Sequence, residues 1–394
     1  MTIDFNQKLD RKNTLSYKWD QSERLFGHDD LLPLWVADMD FQSPPEVREA
    51  IINRAEHGVY GYSFLPESYH ASIVNWFEKR HGWKLNTAWL SHSPGIVTSL
   101  SLAVEIFSQP GDLVMLQSPV YYPFYDVITM NDRKVAKNPL ILKDGKYEMD
   151  LENLEQWMKD GAKLLLLCNP HNPGGRVWTR EELQRVGDLC HRYDVTVIAD
   201  EIHCDLTLSG NTYTPYASIS ENMAMHTVTC LAATKTFNLP GIQSSFMVIQ
   251  NEKWKRKLDK RIKTLSLHMT NCFAPYAVQA AYDHGSAWLD ELLAYVDKNV
   301  TFAVDYFAEH LPKVKPMSPE GTYLLWIDCR ELGLDVAGLK ELMFKEAGVV
   351  FNEGSIFGSE GKGFLRINLA CPQEILAEGL RKFCAAAHTI TTNA

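Results

Sequence analysis

Lys235 and Asp200 are the residues of this chain whose types and surroundings best suit covalent chemistry on a small molecule. Lys235 stands between two threonines, just after the largely apolar run 227–231, and Asp200 ends the run 195–199. A lysine amine condenses with an aldehyde to form a Schiff base, and a carboxylate keeps a heteroaromatic nitrogen protonated. The pair can therefore turn an aldehyde-bearing heterocycle into an acceptor of electrons. Because most lysines are solvated surface residues, this interpretation depends on the rest of the chain.

Other polar residues follow predicted strands at their carboxyl ends. Asn172 belongs to the segment 168–175, Cys-Asn-Pro-His-Asn-Pro-Gly-Gly, whose prolines and glycines fix a tight loop. His203 comes three residues after Asp200, and Tyr121 follows the apolar run 113–116. Open α/β sheets bind ligands at the carboxyl ends of their strands. We therefore expect these side chains to meet in one cleft, where the tyrosine ring can stack on a flat ligand.

Two further features suit anionic groups. Ser-Pro-Gly at 93–95 precedes the predicted helix 96–107, and helix amino termini offer free backbone N–H groups to an anion. The Gly-Lys-Ser/Thr ending of a Walker loop is missing. Arg366 lies inside the predicted strand 363–369, where a guanidinium needs a partner. A substrate carboxylate can be that partner through two parallel hydrogen bonds, and a structural salt bridge is the alternative.

Apolar runs that alternate with helical patterns must position these groups. The runs predict strands at 113–116, 164–168, 195–199, 227–231 and 246–249. Between them, apolar residues recur at helical spacing in 96–107 and 180–193. Thr179 and Glu182 form a capping box for the second helix. Strands buried on both faces and separated by helices predict an α/β fold with a mainly parallel, helix-covered sheet.

The last third of the chain has a different pattern. Strand-like segments at 323–328 and 363–369 alternate with helical ones at 287–310, 336–346 and 372–387, which predicts a smaller α+β domain. We expect an amino-terminal segment at 1–45 that packs with the small domain, a large domain at 46–285 and the small domain at 286–394. A length of 394 residues suits two or three domains of roughly 100–200 residues each.

Composition limits the class of protein. Hydrophobic residues make up 45% and charged residues 22% of the chain, as in ordinary soluble proteins. The net charge of −10 argues against a nucleic-acid partner, which requires a basic face. The one basic stretch, 253–263, carries apolar residues near helical spacing, so it is interpreted as the solvated face of an amphipathic helix.

The eight cysteines contain no C-x-x-C pair, which favours a reducing cytoplasm over a disulfide framework or a zinc site. A metal site formed by His203 with Cys204 or His171 fits no zinc spacing. No apolar run reaches the ~18 residues of a membrane span, and residues 1–10 are polar where a signal peptide is apolar. We expect a cytoplasmic protein with no metal and no membrane.

In their order along nearly the whole chain, these motifs resemble the fold-type-I enzymes that use pyridoxal 5′-phosphate (PLP), the aspartate-aminotransferase-like superfamily. The ordered set comprises Gly95 before a helix, Tyr121, the loop 168–175, Asp-Glu-Ile-His at 200–203, Thr-Lys-Thr-Phe-Asn at 234–238 and Arg-Ile-Asn at 366–368. Trp-Val-Ala-Asp-Met-Asp-Phe at 35–41, His203 and the stretch 236–241 look like the cystathionine β-lyase (carbon–sulfur β-lyase) branch. The resemblance implies a large PLP-binding domain built on a seven-stranded type of sheet, plus the smaller α+β domain.

The resemblance also implies catalytic roles. Lys235 would hold PLP and later act as the base at the substrate Cα, and Asp200 would pair with the pyridinium nitrogen. Tyr121 would stack on the ring. Asn172 would donate a hydrogen bond to the phenolic oxygen of PLP, with His203 supporting the same region.

The remaining implied roles concern binding. Backbone N–H groups of Gly95, Ile96 and Val97 would hold the phosphate together with Thr234. Tyr62 of the partner subunit would complete that site, which implies an obligatory homodimer with shared active sites. Arg366 would bind the substrate carboxylate in a pocket to which Ala37, Asn172 and Tyr121 contribute.

The reaction implied is α,β-elimination of L-cystathionine and related S-substituted cysteines to a thiol such as homocysteine, with pyruvate and ammonia, in methionine biosynthesis. An aminotransferase of amino acids shares every step up to removal of the Cα proton, so the motifs alone leave that alternative open. A PLP-binding regulatory protein is a third alternative. Two departures concern the phosphate, because Gln243 and Ala232 stand where the superfamily often has an arginine and a serine.

Overall fold

The computed structural model describes residues 3–393. The strands are β1 Leu32–Pro33, β2 Leu90–Ser93, β3 Leu113–Ser118, β4 Lys134–Pro139, β5 Ile141–Lys143, β6 Lys146–Glu148, β7 Leu164–Cys168, β8 Thr196–Asp200, β9 Thr227–Leu231, β10 Ser245–Val248, β11 Lys315–Met317, β12 Leu324–Asp328, β13 Val349–Val350, β14 Asn352–Glu353 and β15 Phe364–Asn368. The α-helices are α1 Ser22–Phe26, α2 Pro45–Glu56, α3 Glu67–His81, α4 Ile96–Phe107, α5 Pro123–Thr129, α6 Leu151–Lys159, α7 Arg180–Arg192, α8 Glu221–Met225, α9 Ala233–Thr236, α10 Glu252–Thr264, α11 Ala274–His284, α12 Ser286–His310, α13 Val336–Glu341 and α14 Gln373–Asn393.

A seven-stranded sheet forms the centre of the fold, in the order β2-β10-β9-β8-β7-β3-β4. The strands from β9 to β4 are parallel, whereas β10 runs antiparallel to both of its neighbours. The prediction of a mainly parallel sheet is therefore confirmed. Neighbouring parallel strands are usually joined by a crossover helix that packs along the sheet. The connection between β9 and β10 holds only α9 and a short turn.

Helices cover both faces of this sheet, as the predicted α/β fold requires. Leu164 and Leu166 of β7 pack in the same apolar cluster as Leu100 and Ala103 of α4. Their neighbours Leu165 and Leu167 pack in another cluster, with Leu154 of α6 and with Leu183 and Val186 of α7. Since successive strand residues point to opposite faces, β7 is covered by helices on both sides. The capping box of Thr179 and Glu182 is present at the start of α7.

A second, antiparallel sheet in the order β11-β12-β15-β14 lies in the last third of the chain. Its apolar residues pack with α12, α13 and α14, and β1 pairs with β13 beside it. The predicted helix 336–346 is observed as α13 followed by one π-helical segment, Leu342–Ala347. The division at residues 45 and 285 stays a prediction, and its outer ends, residues 1, 2 and 394, lie outside the described residues.

The basic stretch forms α10, in which Leu258 and Ile262 are buried. Three of its basic side chains pair with carboxylates, Lys255 with Asp259, Arg256 with Glu252 and Arg261 with Glu105. The stretch is thus an amphipathic helix, as predicted. Among residues 3–393, no helix is both long and apolar enough to cross a membrane.

Candidate active site

The predicted site residues meet at the carboxyl ends of β7, β8 and β9. Asn172 follows β7, Asp200 is the last residue of β8, and Lys235 lies on α9 directly after β9. They line a cavity of about 410 Å³. The predicted residues in its lining are Ala37, Gly95, Ile96, Val97, Tyr121, Asn172, Asp200, His203, Thr234 and Lys235. Of the other two, Arg366 hydrogen-bonds Asn172, and Tyr62 lies outside this cavity with 93% of its surface exposed.

Lys235 is held with its amine against the backbone of another segment. Its Nζ donates a hydrogen bond of 2.6 Å to the Ala37 carbonyl. Burial lowers the pKa of Lys235 to about 8, against the opposing attraction of Asp38 and Asp200. A substantial fraction of the amine is therefore neutral near physiological pH, which is the form that attacks an aldehyde.

Asp200 is a buried carboxyl without a basic partner. It accepts a hydrogen bond from the Ile202 N–H at 3.2 Å, and no basic side chain of the described chain forms an ion pair with it. Burial raises the pKa of Asp200 to about 7. A cationic ring nitrogen beside Asp200 would favour the ionised carboxylate and would therefore lower the pKa of Asp200 again.

The amino end of α4 lies on the same cavity. The first intrahelical bond runs from the Ser99 N–H to the Gly95 carbonyl, so the N–H groups of Ile96, Val97 and Thr98 have no partner within the helix. Thr98 and Ser244 add hydroxyls to the cavity lining, and Gln243 lies beside them. The sequence prediction assigned neither hydroxyl, although Thr98 directly follows the predicted N–H groups.

Arg366 is buried, with 4% of its surface exposed, and its protein partners are neutral. Its guanidinium donates to Asn172 Oδ1 at 2.8 Å, to Asn352 Oδ1 at 2.6 Å and to the Trp35 carbonyl at 3.0 Å. Its Nε has no partner, and burial lowers the pKa of Arg366 to about 10. No carboxylate of the described chain pairs with it, so the structural salt bridge left open by the sequence is not formed.

The segment 35–41 contributes mainly its backbone. Asn368 Nδ2 donates to the carbonyls of Val36 and Asp38 at 2.6 and 2.5 Å. Asn238 bonds both the N–H and the carbonyl of Met39. The sequence prediction missed these two asparagines, although each stands in a motif that carries the resemblance.

Acidic side chains of the same segment anchor the preceding part of the chain. Arg11 pairs with Asp38 at 2.8 Å and with Asp40 at 2.7 Å. Lys18, whose side chain is 0% exposed, pairs with Asp40 at 2.6 Å. These ion pairs fix residues 11–18 against the segment that touches Lys235.

Tyr121 and His203 form further walls of the cavity. The Tyr121 N–H donates to the Asn172 carbonyl at 3.0 Å, which ties the ring to the loop 168–175. His203 is buried, its Nδ1 has no partner, and burial lowers its pKa well below the usual value. The imidazole is therefore neutral, and its Nδ1 is buried without a protein partner.

These groups fit PLP. A neutral amine for an aldehyde, an unpaired buried carboxyl for a ring nitrogen and unbonded helix N–H groups for a phosphate all face one cavity. Arg366, buried with an unused donor beside Asn172, suits a carboxylate. Among residues 3–393, His81, Cys204 and Asp205 lie close enough to bind a metal, but Asp205 already accepts hydrogen bonds from Trp76, His81 and Thr236.

Comparisons with known proteins show the family to which the chain belongs. The family model for aminotransferase class I and II matches residues 29–383. The chain is 43% identical to cystathionine beta-lyase PatB of Bacillus subtilis, over 98% of this chain and 100% of that protein. It matches the PLP-bound putative aminotransferase from Clostridium difficile with a TM-score of 0.97 and 43% identity, over 98% of this chain and 100% of that one. The PLP-bound C-S lyase from Staphylococcus hominis matches with a TM-score of 0.92 and 32% identity, over 98% of each chain.

Proposed function

This chain belongs to the aminotransferase class I and II family, and we propose that it acts as a PLP-dependent carbon–sulfur β-lyase. The observation that carries the proposal is the full-length similarity to a cystathionine beta-lyase, together with a cavity onto which Lys235, Asp200 and the α4 amino end all face. Its substrates are S-substituted cysteines, L-cystathionine among them, and its products are a thiol, pyruvate and ammonia.

The cavity lining supports a role for several residues in holding PLP. Lys235 would supply the amine for the aldehyde, Asp200 would pair with the ring nitrogen, and the N–H groups of Ile96, Val97 and Thr98 would receive the phosphate. When bound, PLP withdraws electrons from the substrate Cα. Asp200 maintains this capacity, since its carboxylate favours the protonated ring nitrogen. Without an arginine at position 243, the hydroxyls of Thr98, Thr234 and Ser244 supplement the backbone donors.

The α-carboxylate of the substrate positions it in the pocket. Arg366 binds the α-carboxylate, since its guanidinium is hydrogen-bonded only to neutral protein groups and its Nε has no protein partner. Lys235 accepts the Cα proton. A thiolate then leaves from Cβ, and because a thiol has a pKa of only about 8.5, its departure does not require a dedicated acid in the pocket.

An aminotransferase is the second candidate, because the family model and the name of the Clostridium difficile protein both point to that reaction. The two reactions share removal of the Cα proton and diverge after that step. The purified protein is expected to release pyruvate from L-cystathionine and S-methyl-L-cysteine. Exchange of amino groups between an amino acid and a 2-oxo acid, without pyruvate release from either thioether, would favour the aminotransferase.

The cofactor has its own test. The purified protein is expected to be yellow, and borohydride should fix the cofactor onto the peptide that contains Lys235, as mass spectrometry would detect. The Lys235→Ala variant should retain no covalent label. A colourless protein that takes up no added PLP would exclude the proposed chemistry.

We also propose a homodimer in which Tyr62 serves the site of the partner subunit. Supporting this, apolar side chains of the surrounding surface are exposed, among them Val59, Tyr60, Tyr62, Phe64 and Tyr276, and such patches commonly mark interfaces. Mixing Lys235→Ala with Tyr62→Ala subunits should restore activity, because one of the two sites in a mixed dimer would be intact. No recovery, or a monomer by light scattering, would refute the shared site.

The cellular compartment and the physiological thiol product are proposed from chemistry alone. The eight cysteines are unpaired, which suits the reducing cytoplasm. Homocysteine as the thiol product would place the enzyme in methionine biosynthesis. Release of homocysteine from L-cystathionine at a rate comparable with other thioethers would support that assignment, and selectivity for smaller S-substituted cysteines would oppose it.

A further inference from the structure

We propose that Tyr323 is a positioning residue, which together with the Ala37 carbonyl holds the ε-amine of Lys235 whenever that amine is not bonded to the cofactor. The Ala37 carbonyl accepts two hydrogen bonds, one from Lys235 Nζ at 2.6 Å and one from the Tyr323 hydroxyl at 2.9 Å. This role rests on the proposed use of PLP, but it does not depend on which group leaves Cβ.

The Ala37 carbonyl has a fixed position because its neighbours are also bonded. The carbonyls of Val36 and Asp38 both accept from Asn368, and the Trp35 carbonyl accepts from Arg366. These bonds hold the backbone on both sides of residue 37. Besides Lys235, the Tyr323 hydroxyl is the side-chain donor that bonds the Ala37 carbonyl itself.

Tyr323 is itself fixed in place. Only 1% of its surface is exposed, its backbone carbonyl accepts from the Leu369 N–H at 2.8 Å, and its ring meets the His203 ring edge-on at 6.1 Å. Burial raises the pKa of Tyr323 far above the usual value. The hydroxyl therefore keeps its proton near neutral pH and acts as the donor to the Ala37 carbonyl.

Such a holding point is required by the reaction. When the substrate amine takes the place of Lys235, the released amine must stay within reach of Cα. On accepting the Cα proton it becomes an ammonium, and its bond to the carbonyl becomes a stronger, charge-assisted one. Asp38 and Asp200 attract that charge, whereas Arg366 repels it. The proton stays on Nζ until it is passed on, and no other reactant is consumed.

Tyr323→Phe removes the hydroxyl and keeps the ring. We expect the holoenzyme variant to exchange the Cα hydrogen of L-alanine with D₂O about tenfold to a hundredfold more slowly than the unmodified protein, the loss that misplacing a reacting group by up to about 1 Å produces. Proton NMR measures this exchange, and L-alanine has no group to expel. Affinities for PLP and for L-alanine should stay within about twofold, since neither Tyr323 nor Ala37 changes its charge.

A second measurement uses the cofactor-free protein. The rate of reductive methylation of Lys235 against pH, followed by mass spectrometry of its peptide, gives the pKa of its amine. We expect a lower pKa of Lys235 in Tyr323→Phe, because the Ala37 carbonyl that accepts from the ammonium loses its direct bond to Tyr323 and is held less firmly. Tyr323→Met, which also lacks the hydroxyl, should behave alike. Tyr216→Phe is the matched control, since Tyr216 is equally buried and packs beside Cys190 and Glu201 instead of Ala37.

The outcomes distinguish failure of the proposed PLP reaction from failure of the role proposed for Tyr323. If the unmodified holoenzyme does not exchange the Cα hydrogen, the proposed PLP reaction fails. If it does, and Tyr323→Phe exchanges within about twofold of it with an unchanged Lys235 pKa, only the role of Tyr323 is overturned. Equal slowing in Tyr216→Phe, or loss of bound PLP in Tyr323→Phe, would likewise overturn that role, because it would show a general structural effect.

Discussion

Replacing Arg366 with lysine tests how the substrate carboxylate is bound. A guanidinium has five N–H donors, and Asn172, Asn352 and the Trp35 carbonyl use three of them. Two donors therefore remain (5 − 3), and one of these is the Nε–H that has no protein partner. The guanidinium therefore keeps donor capacity for a carboxylate beyond its contacts with the protein. Lysine keeps the positive charge but lacks the planar fork.

The expected loss is set by this count. We expect Arg366→Lys to lose the equivalent of one charge-assisted hydrogen bond, about 1.5–3 kcal/mol, which corresponds to a roughly 10- to 150-fold higher Kd for amino acids. The absorbance change of the holoenzyme on titration with L-alanine gives that Kd. Ethylamine, which differs from L-alanine only by lacking the carboxylate, should bind the variant and the unmodified protein equally.

Two results would contradict this reasoning. Equal weakening of ethylamine and L-alanine would show that Arg366 shapes the pocket without reading the carboxylate. An unchanged Kd for L-alanine would place the carboxylate elsewhere. Arg330→Lys is the matched control, because Arg330 is an exposed arginine paired with Asp328, and its replacement should change neither affinity.

Two further predictions concern stability. In the cofactor-free protein, burial raises the pKa of Asp200 from 3.8 to about 7, so the stability gained by keeping this carboxyl protonated is full below about pH 3.8 and is lost as the pH rises through 7. Calorimetry should therefore show Asp200→Asn gaining stability relative to the unmodified protein between pH 5 and pH 8. With PLP bound at pH 8, the unmodified protein should be the more stable of the two. Equal dependence of stability on pH in both proteins would refute this. Asp40→Asn leaves the fully buried Lys18 without its closest partner and should lower the free energy of unfolding by about 3 kcal/mol, as urea titrations would measure. The control is Asp290→Asn, which removes the partner of Arg80 at an exposed site and should lower it by less than about 1 kcal/mol. Similar losses of stability in both variants would show that burial does not increase the contribution of the Lys18–Asp40 pair to the free energy of unfolding.

The central elements could be predicted from the sequence because their burial leaves a strong periodic signal. The strands predicted at 164–168 and 227–231 have the observed bounds, and so does the helix 96–107. The weakest predictions fall where local pattern is poor. The edge strand β2 contains Ser91, His92 and Ser93, which form no apolar run, and the antiparallel direction of β10 depends on a connection length.

The candidate site was predictable where residue type and position agree, as for Lys235, Asp200 and Asn172. Tyr323 carries no such signal, because a tyrosine at the start of an apolar strand is usually interpreted as core. Its role depends on a hydrogen bond to a residue 286 positions earlier. Likewise, Asn368 bonds carbonyls 330 and 332 positions away. Contacts at this separation arise only when the strands have assembled, so one sequence does not reveal them.

The backbone bonds of the segment 35–41 have a consequence for engineering this enzyme. Apart from the Asp38 carboxylate and the Trp35 indole N–H, residues 35–39 act through carbonyls and N–H groups. Replacing the side chain of Ala37, which lines the cavity, at constant length can therefore alter the substrate range without removing these backbone contacts. Inserting or deleting one residue would shift every carbonyl to a new partner at once. Variation in composition should therefore be tolerated here, and variation in length should not.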